Sequence, residues 1–179
     1  MPSYPRDKLR NTITSSLACK ARLLHYFPRT KDDAVKAGDA SWCGWHLDHG
    51  TLTGLTPAMF VDENLNEVES PDPEAGLYIR ARSGDVVKVG VERSHIAFQI
   101  GQTSQVHTGG ALVATPHMVK APTTGTNISR ETLAVFMQPS WDVPMDIPAG
   151  AQQQEIGVPE WQPNTDFSQF TKTVMANYY

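Results

Sequence analysis

Apolar and polar positions alternate through most of this chain, and prolines and glycines interrupt them often. Residues 1–12 read as a leader without order. From Ile13 to Phe27 the pattern predicts an extended segment ended by Pro28: Cys19, Ala21, Leu23, His25 and Phe27 share one face, and Lys20, Arg22, Leu24 and Tyr26 share the other. A polar loop over 29–39 follows, then a strand over 41–48 and an apolar stretch over 52–61. Residues 62–75 are acidic, carry Pro71 and Pro73, and predict a surface loop. Leu77, Ile79 and Ala81 alternate with Tyr78, Arg80 and Arg82, and Val87, Val89 and Val91 repeat the period after the turn at Ser83-Gly84-Asp85. Strands are also predicted over 96–100, 112–119 and 132–138, parted by Gly109-Gly110 and by 122–125. About eight short strands with regular turn signals describe an antiparallel sandwich or barrel. After Pro139 prolines recur at 144, 148, 159 and 163, and Phe167, Phe170, Val174 and Tyr178 predict a terminal helix over 166–179, capped by Asn164 or Thr165.

Composition narrows the classes. The 179 residues are 40% hydrophobic and 19% charged with net charge −4, which fits a single folded domain and excludes a disordered chain. Basic residues gather in the first 36 positions, from Arg6 to Lys36, without the density of a nucleic-acid or membrane surface. Cys19 and Cys43 form no disulfide framework and the N-terminus has no secretory core, so a cytoplasmic protein is expected. Asn127-Ile128-Ser129 matches a glycosylation acceptor by chance alone. No apolar run reaches the ~20 residues of a membrane span.

Chemistry enters at Trp45-His46-Leu47-Asp48-His49-Gly50. On a strand, His46 and Asp48 point to one side. An imidazole and a carboxylate together form two thirds of a facial triad, the ligand set of non-haem Fe(II) with open positions. The third ligand must come from a later strand, and Thr115-Pro116-His117-Met118-Val119 offers His117. Arg130 and Thr132 then share one face of the next strand, a guanidinium fork beside a hydroxyl that suits a carboxylate.

The order H-x-D, T-P-H-x-V, R-x-T resembles the Fe(II)- and 2-oxoglutarate-dependent dioxygenases, in particular their isopenicillin-N-synthase-like branch. Leu23–Pro28 is similar to that branch's N-Y-Y-P segment, His49–Leu55 to its D-x-G-x-L-T-x-L, Ala75-Gly76-Leu77 to its G-L-Q-V strand, and Ile100-Gly101-Gln102 to its N-I-G-D turn. The resemblance spans roughly residues 19–139. It implies a mainly β fold, a double-stranded β-helix (jelly-roll, cupin-like) barrel over 13–139, and an extension over 140–179 with a short C-terminal helix. It implies iron held by His46, Asp48 and His117, and 2-oxoglutarate held by Arg130, Thr132 and Tyr26. The implied reaction hydroxylates or desaturates a small organic substrate with O2, releasing succinate and carbon dioxide. No nucleic-acid or membrane partner is implied.

The departures are specific. Thr132 stands where the family has serine, His25 where it has asparagine, and Phe27 where it has a second tyrosine. His25 and Phe27 are therefore candidates for contacts to substrate or cosubstrate, and His107, beside Gly109-Gly110, is a further one that reads equally as a loop histidine. His49 and His95 read as structural and surface residues, and the tryptophans as core. The terminal helix reads equally as a lid over the barrel or as packing on its exterior. With a first strand expected near residue 13, the helical portion that usually precedes the barrel is expected to be missing, as in a short paralogue or a fragment of a longer product. Two further readings stay open: an inactive or truncated metal-binding barrel serving as a binding module, and a family oxidase that uses no 2-oxoglutarate.

Overall fold

The computed structural model describes residues 4–29, 41–123 and 126–177. Ten strands form two antiparallel sheets: β1 (Lys20–Tyr26), β2 (Ser41–His46), β3 (Leu52–Leu55), β4 (Met59–Val61), β5 (Glu67–Val68), β6 (Gly76–Arg80), β7 (Val86–Lys88), β8 (Ala97–Ile100), β9 (His117–Lys120) and β10 (Ser129–Met137). The larger sheet runs β5-β4-β10-β3-β8, with β1 on the other edge of β10; the smaller runs β2-β9-β6-β7. This is the mainly β jelly-roll arrangement that the alternation and the motif order predict.

Strand β10 organises the larger sheet. One of its edges pairs with all of β1, from Lys20 opposite Phe136 to Tyr26 opposite Arg130. The other edge is shared by β3, against Ala134–Met137, and β4, against Ser129–Glu131. The apolar stretch 52–61 is thus two strands, because Pro57 has no N–H to give the ladder. Thr56 bridges the gap: its N–H donates to the Leu133 carbonyl, and its Oγ1 accepts the Leu133 N–H, each at 3.1 Å.

Several expectations are corrected. Residues Lys8–Thr14 form a helix, α1, instead of belonging to an unordered leader, and the first strand begins at Lys20 rather than Ile13. The face of β1 that borders the barrel interior is the one with Arg22, Leu24 and Tyr26. Leu23 and Phe27, on its apolar-looking face, are exposed. The acidic loop contains β5, hairpinned onto β4 by Asp62, whose Oδ1 accepts the N–H groups of Asn64 and Asn66. Strand β9 is shorter than the apolar run 112–119. The loop over 29–39 falls largely outside the described residues, as do residues 124–125.

A helix unpredicted by the pattern, α2 (Gln102–His107), follows β8 directly, and α3 spans Phe167–Ala176. Asp166, not Asn164 or Thr165, caps α3. Its Oδ1 accepts the Gln169 N–H at 2.8 Å while Gln169 Oε1 accepts the Asp166 N–H at 3.0 Å, a reciprocal capping box. Phe167, Phe170 and Val174 of α3 pack with Val106 of α2 and with Met145, Ile156, Val158 and Trp161 of the extension. The buried apolar core therefore lies in this helical layer. Helix α3 packs into it and does not line the barrel interior.

Candidate metal centre and its cavity

His46 and His117 face each other across the β2–β9 pair, with ring centroids 4.1 Å apart. Between Cys43 and His46 the register slips, a bulge that turns the end of β2 toward the interior. Each Nδ1 donates to a carbonyl two residues earlier, His46 to Gly44 at 2.8 Å and His117 to Thr115 at 2.9 Å. A carbonyl only accepts, so each Nδ1 keeps its proton and Nε2 is the nitrogen left to serve a metal. Asp48 lies beyond the end of β2, so the shared strand face read from H-x-D is not what joins the pair. Its Oδ2 accepts a 2.6 Å hydrogen bond from Thr53 Oγ1, which leaves Oδ1 3.9 Å from His117 Nε2. One ligand atom from each of His46, Asp48 and His117 lies within 4.8 Å of the others, the one such cluster among the described residues. This donor set, two imidazole nitrogens and one carboxylate oxygen with their remaining atoms tied back, fits a divalent first-row metal with open positions.

The two imidazoles are tuned apart. A contact to Cys43 Sγ, 3.7 Å from Nδ1, is the main cause that raises His46 to about 9, against burial and with help from Gly44 and Asp48. Burial lowers His117, with Asp48 opposing and His46 adding to the fall. Burial also lowers His49, assisted by the charges of Lys20 and Arg22 against the pull of Asp48. His49 stacks on Phe167 at 5.8 Å, the structural role expected for it.

Helix α2 holds the segment that carries Asp48. The Gln102 N–H donates to the Asp48 carbonyl at 2.8 Å, and the Thr103 N–H to Gly50 at 3.1 Å. Thr103 Oγ1 reaches the His49 carbonyl and Ser104 Oγ the Thr51 carbonyl, both at 2.6 Å. The approach is so close that a Cβ on Gly101 would meet the Gly50 oxygen at 2.1 Å. From sequence Gly101 and Gln102 enter only as part of the turn resembling N-I-G-D, and Thr103 and Ser104 are not singled out. The signal available was a glycine followed by Gln-Thr-Ser, side chains able to bond backbone at the start of a helix.

The cluster opens into a cavity of about 320 Å³ between the sheets. Arg130, Thr132 and Tyr26 line it, as expected. Arg130 is 6% exposed, and its Nε and Nη1 have no hydrogen-bond partner. Its guanidinium lies 5.2 Å over the Tyr26 ring, and burial lowers its pKa against the opposing influence of Tyr26. Thr132 Oγ1 is engaged, donating to the Thr56 carbonyl at 3.2 Å. The three remaining candidates are not brought to this cavity. His25 is on the outer surface, bonded to Glu131 at 2.7 Å and edge-on to Phe27, itself 73% exposed. His107 is buried at the end of α2, where Nε2 donates to the Pro144 carbonyl at 3.1 Å. Odd and even positions of β1 face opposite sides, which separates His25 and Phe27 from Tyr26.

Solved structures share this architecture. A full-length Neurospora crassa protein in complex with alpha-ketoglutarate (2-oxoglutarate) superposes with TM-score 0.65 at 18% identity, over 90% of this chain and 45% of its own. A Caulobacter crescentus structure assigned to the 2OG-Fe(II) oxygenase family superposes with TM-score 0.63 at 21% identity, over 97% and 50%. The rice dioxygenase for auxin oxidation superposes with TM-score 0.60 at 20% identity, over 89% and 47%. The fold is that of the 2-oxoglutarate–Fe(II) oxygenases. This chain spans about half the length of the oxygenases it matches. No family model matches the sequence, and no curated protein matches it. Among the described residues no helix is long and apolar enough to cross a membrane.

Proposed function

We propose that this chain is the catalytic barrel of a 2-oxoglutarate-dependent dioxygenase that hydroxylates or desaturates a small organic molecule. The observation that carries the reading is the pairing, in one cavity, of the His46–Asp48–His117 cluster with the buried guanidinium of Arg130, unpaired at Nε and Nη1. A buried cation without a counter-charge costs several kcal/mol, a cost that a bound carboxylate offsets. The γ-carboxylate of 2-oxoglutarate is such a group, and the Arg130 fork would hold it, backed by the Tyr26 ring.

His46, Asp48 and His117 would hold Fe(II), which when bound with 2-oxoglutarate and O2 supplies the oxidation chemistry. The protein's own work is positional. The Gly44 and Thr115 carbonyls keep the Nδ1 protons in place, Thr53 keeps one oxygen of Asp48 occupied, and α2 fixes the Asp48 backbone. Thr132 braces the wall through Thr56 and contributes shape rather than a hydrogen bond to the cosubstrate. Leu24, Leu55, Leu77 and Val119 keep the cavity apolar, which limits water near the reacting atoms.

Anaerobic addition of Fe(II) and 2-oxoglutarate to the purified protein tests the proposal. The expected result is a visible metal-to-ligand charge-transfer band that is absent in His46→Ala and weakened in Arg130→Ala, with succinate formed once O2 and substrate are supplied. Absence of the band in well-folded protein overturns it, and the binding-module reading then leads. Product formed without succinate points to the oxidase.

A further inference from the structure

The charge lining the cavity differs from that of the chain. The protein carries net charge −4, yet the cavity wall has three cations, Arg22, Lys88 and Arg130, against one carboxylate, Asp48. If Asp48 serves the metal and Arg130 the cosubstrate, two cations are unassigned. Lys88 is tethered, since its Nζ donates to the Pro73 carbonyl. Arg22 is not. It is exposed to solvent; among the described residues its side chain has no hydrogen bond and no ion pair, and its guanidinium lies 5.4 Å over the Phe136 ring.

The register separates Arg22 from Arg130. Arg22 stands opposite Ala134, four positions along β10 from Arg130, which at strand rise is about 13 Å. It lies toward the Asp48 end: Thr53, whose hydroxyl holds Asp48, pairs with Phe136, and Phe136 is the ring beneath Arg22. The sheet face shared by β1 and β10 therefore carries Arg22 toward one end and Arg130 toward the other, with Leu24 and Thr132 paired between them.

We infer that Arg22 is the specificity-determining residue for substrate, and that the substrate is an apolar molecule with a single carboxylate that pairs with this guanidinium. The inference rests on the proposed dioxygenase reading, which assigns Arg130 to the other carboxylate. A planar guanidinium with no partner, stacked on an aromatic ring, is preorganised for bidentate pairing. One free cation calls for a monoanion, and the apolar wall for a hydrocarbon body.

The test titrates matched pairs of acid and amide into the anaerobic Fe(II)–2-oxoglutarate complex and follows binding by calorimetry: phenylacetate and phenylacetamide, phenylbutyrate and phenylbutyramide, hexanoate and hexanamide. Wild-type protein is expected to prefer at least one acid over its amide by about tenfold or more. In Arg22→Gln the preference collapses while the charge-transfer band of 2-oxoglutarate persists; Arg22→Lys retains part of it; Arg130→Gln weakens the band and leaves the acid preference. The inference is overturned if no acid is preferred, if Arg22→Gln keeps the preference, or if Arg22→Gln removes the band, which would assign Arg22 to the cosubstrate. Acid binding that depends on Arg22 in protein without any band keeps the carboxylate site and rejects the cosubstrate reading instead.

Discussion

Thr53→Val isolates how the carboxylate ligand is positioned. Thr53 is 2% exposed, and valine has nearly its shape, so the change removes the hydroxyl with little repacking. The lost bond is short, 2.6 Å, and accepted by an anion whose side chain is 10% exposed. Hydrogen bonds to charged groups contribute about 1.5–3 kcal/mol, and a buried oxygen left without a donor costs about as much. Part of that loss is recovered as Oδ2 turns toward other donors. The expected destabilisation of the metal-free protein is thus about 1–2 kcal/mol, a fall of about 2–8 °C in unfolding temperature for a domain of this size. Metal affinity is expected to drop further, by about 10–100-fold, because the freed carboxylate rotates out of alignment with His46 and His117. Anaerobic calorimetry with Fe(II) reads the affinity, and thermal unfolding with and without metal reads both effects. If the Thr53→Val variant binds Fe(II) within twofold of wild type, while Asp48→Ala does not bind, the claim that Thr53 orients the ligand is refuted.

Other outcomes follow from the same geometry. Gly101→Ala sets a Cβ against the Gly50 and Asp48 carbonyls and should cost at least about 3 kcal/mol by urea unfolding, whereas Gly44→Ala, with open space around it, should stay within about 0.5 kcal/mol. Arg130→Met should abolish the effect of 2-oxoglutarate on unfolding temperature while leaving the ligand-free protein as stable as wild type or more so; a ligand-free loss above about 1 kcal/mol would contradict a cation without a counter-charge. His107 is held down to about 4, chiefly by burial and then by Lys8, with Pro144 and Asp146 opposing. Its neutral form is the one that fits the fold, so its contribution is complete above the unfolded value near 6.5 and is lost as pH falls toward 4, by up to about 1.4 kcal/mol per pH unit. His107→Gln should flatten the acid limb of stability against pH, and an unchanged slope would exclude His107 as its source.

The site is legible in the sequence where it depends on residue type in order, and obscure where it depends on the path of the backbone. His46, Asp48, His117 and Arg130 announce themselves because few other jobs need that set, and the structure brings them to one cavity. What joins Asp48 to the histidines is not visible in the pattern: the residue is outside β2, and a bulge together with the grip of α2 does what strand alternation alone would not. Helix α2 escapes a search for amphipathic periodicity because Gln102–His107 is short and mostly polar: all six residues are buried, Val106 in the apolar core and the polar five through hydrogen bonds, most of them to backbone. Alternation along β1 is readable, but not which side faces inward. The face that borders the cavity bears Tyr26, which is partly buried, and Arg22, which borders the cavity while still exposed to solvent; hydrophobicity alone does not mark it as the inner one. His25 and Phe27 are drawn in by motif position and turned out by the period of the strand.

The division between an apolar core in the helical layer and an open cavity in the barrel has an evolutionary consequence. In most small domains the residues that shape a pocket are also those that hold the fold, so a new specificity costs stability. Here Phe167, Phe170, Met145 and Trp161 carry the packing, while Leu24, Leu55, Val89 and Phe136 border space that is already empty. Substitutions of that second group alter what fits without opening a void in the first. Under the proposed function, such a scaffold is free to drift in what it accepts, with the His46–Asp48–His117 cluster and the folding core each under separate selection.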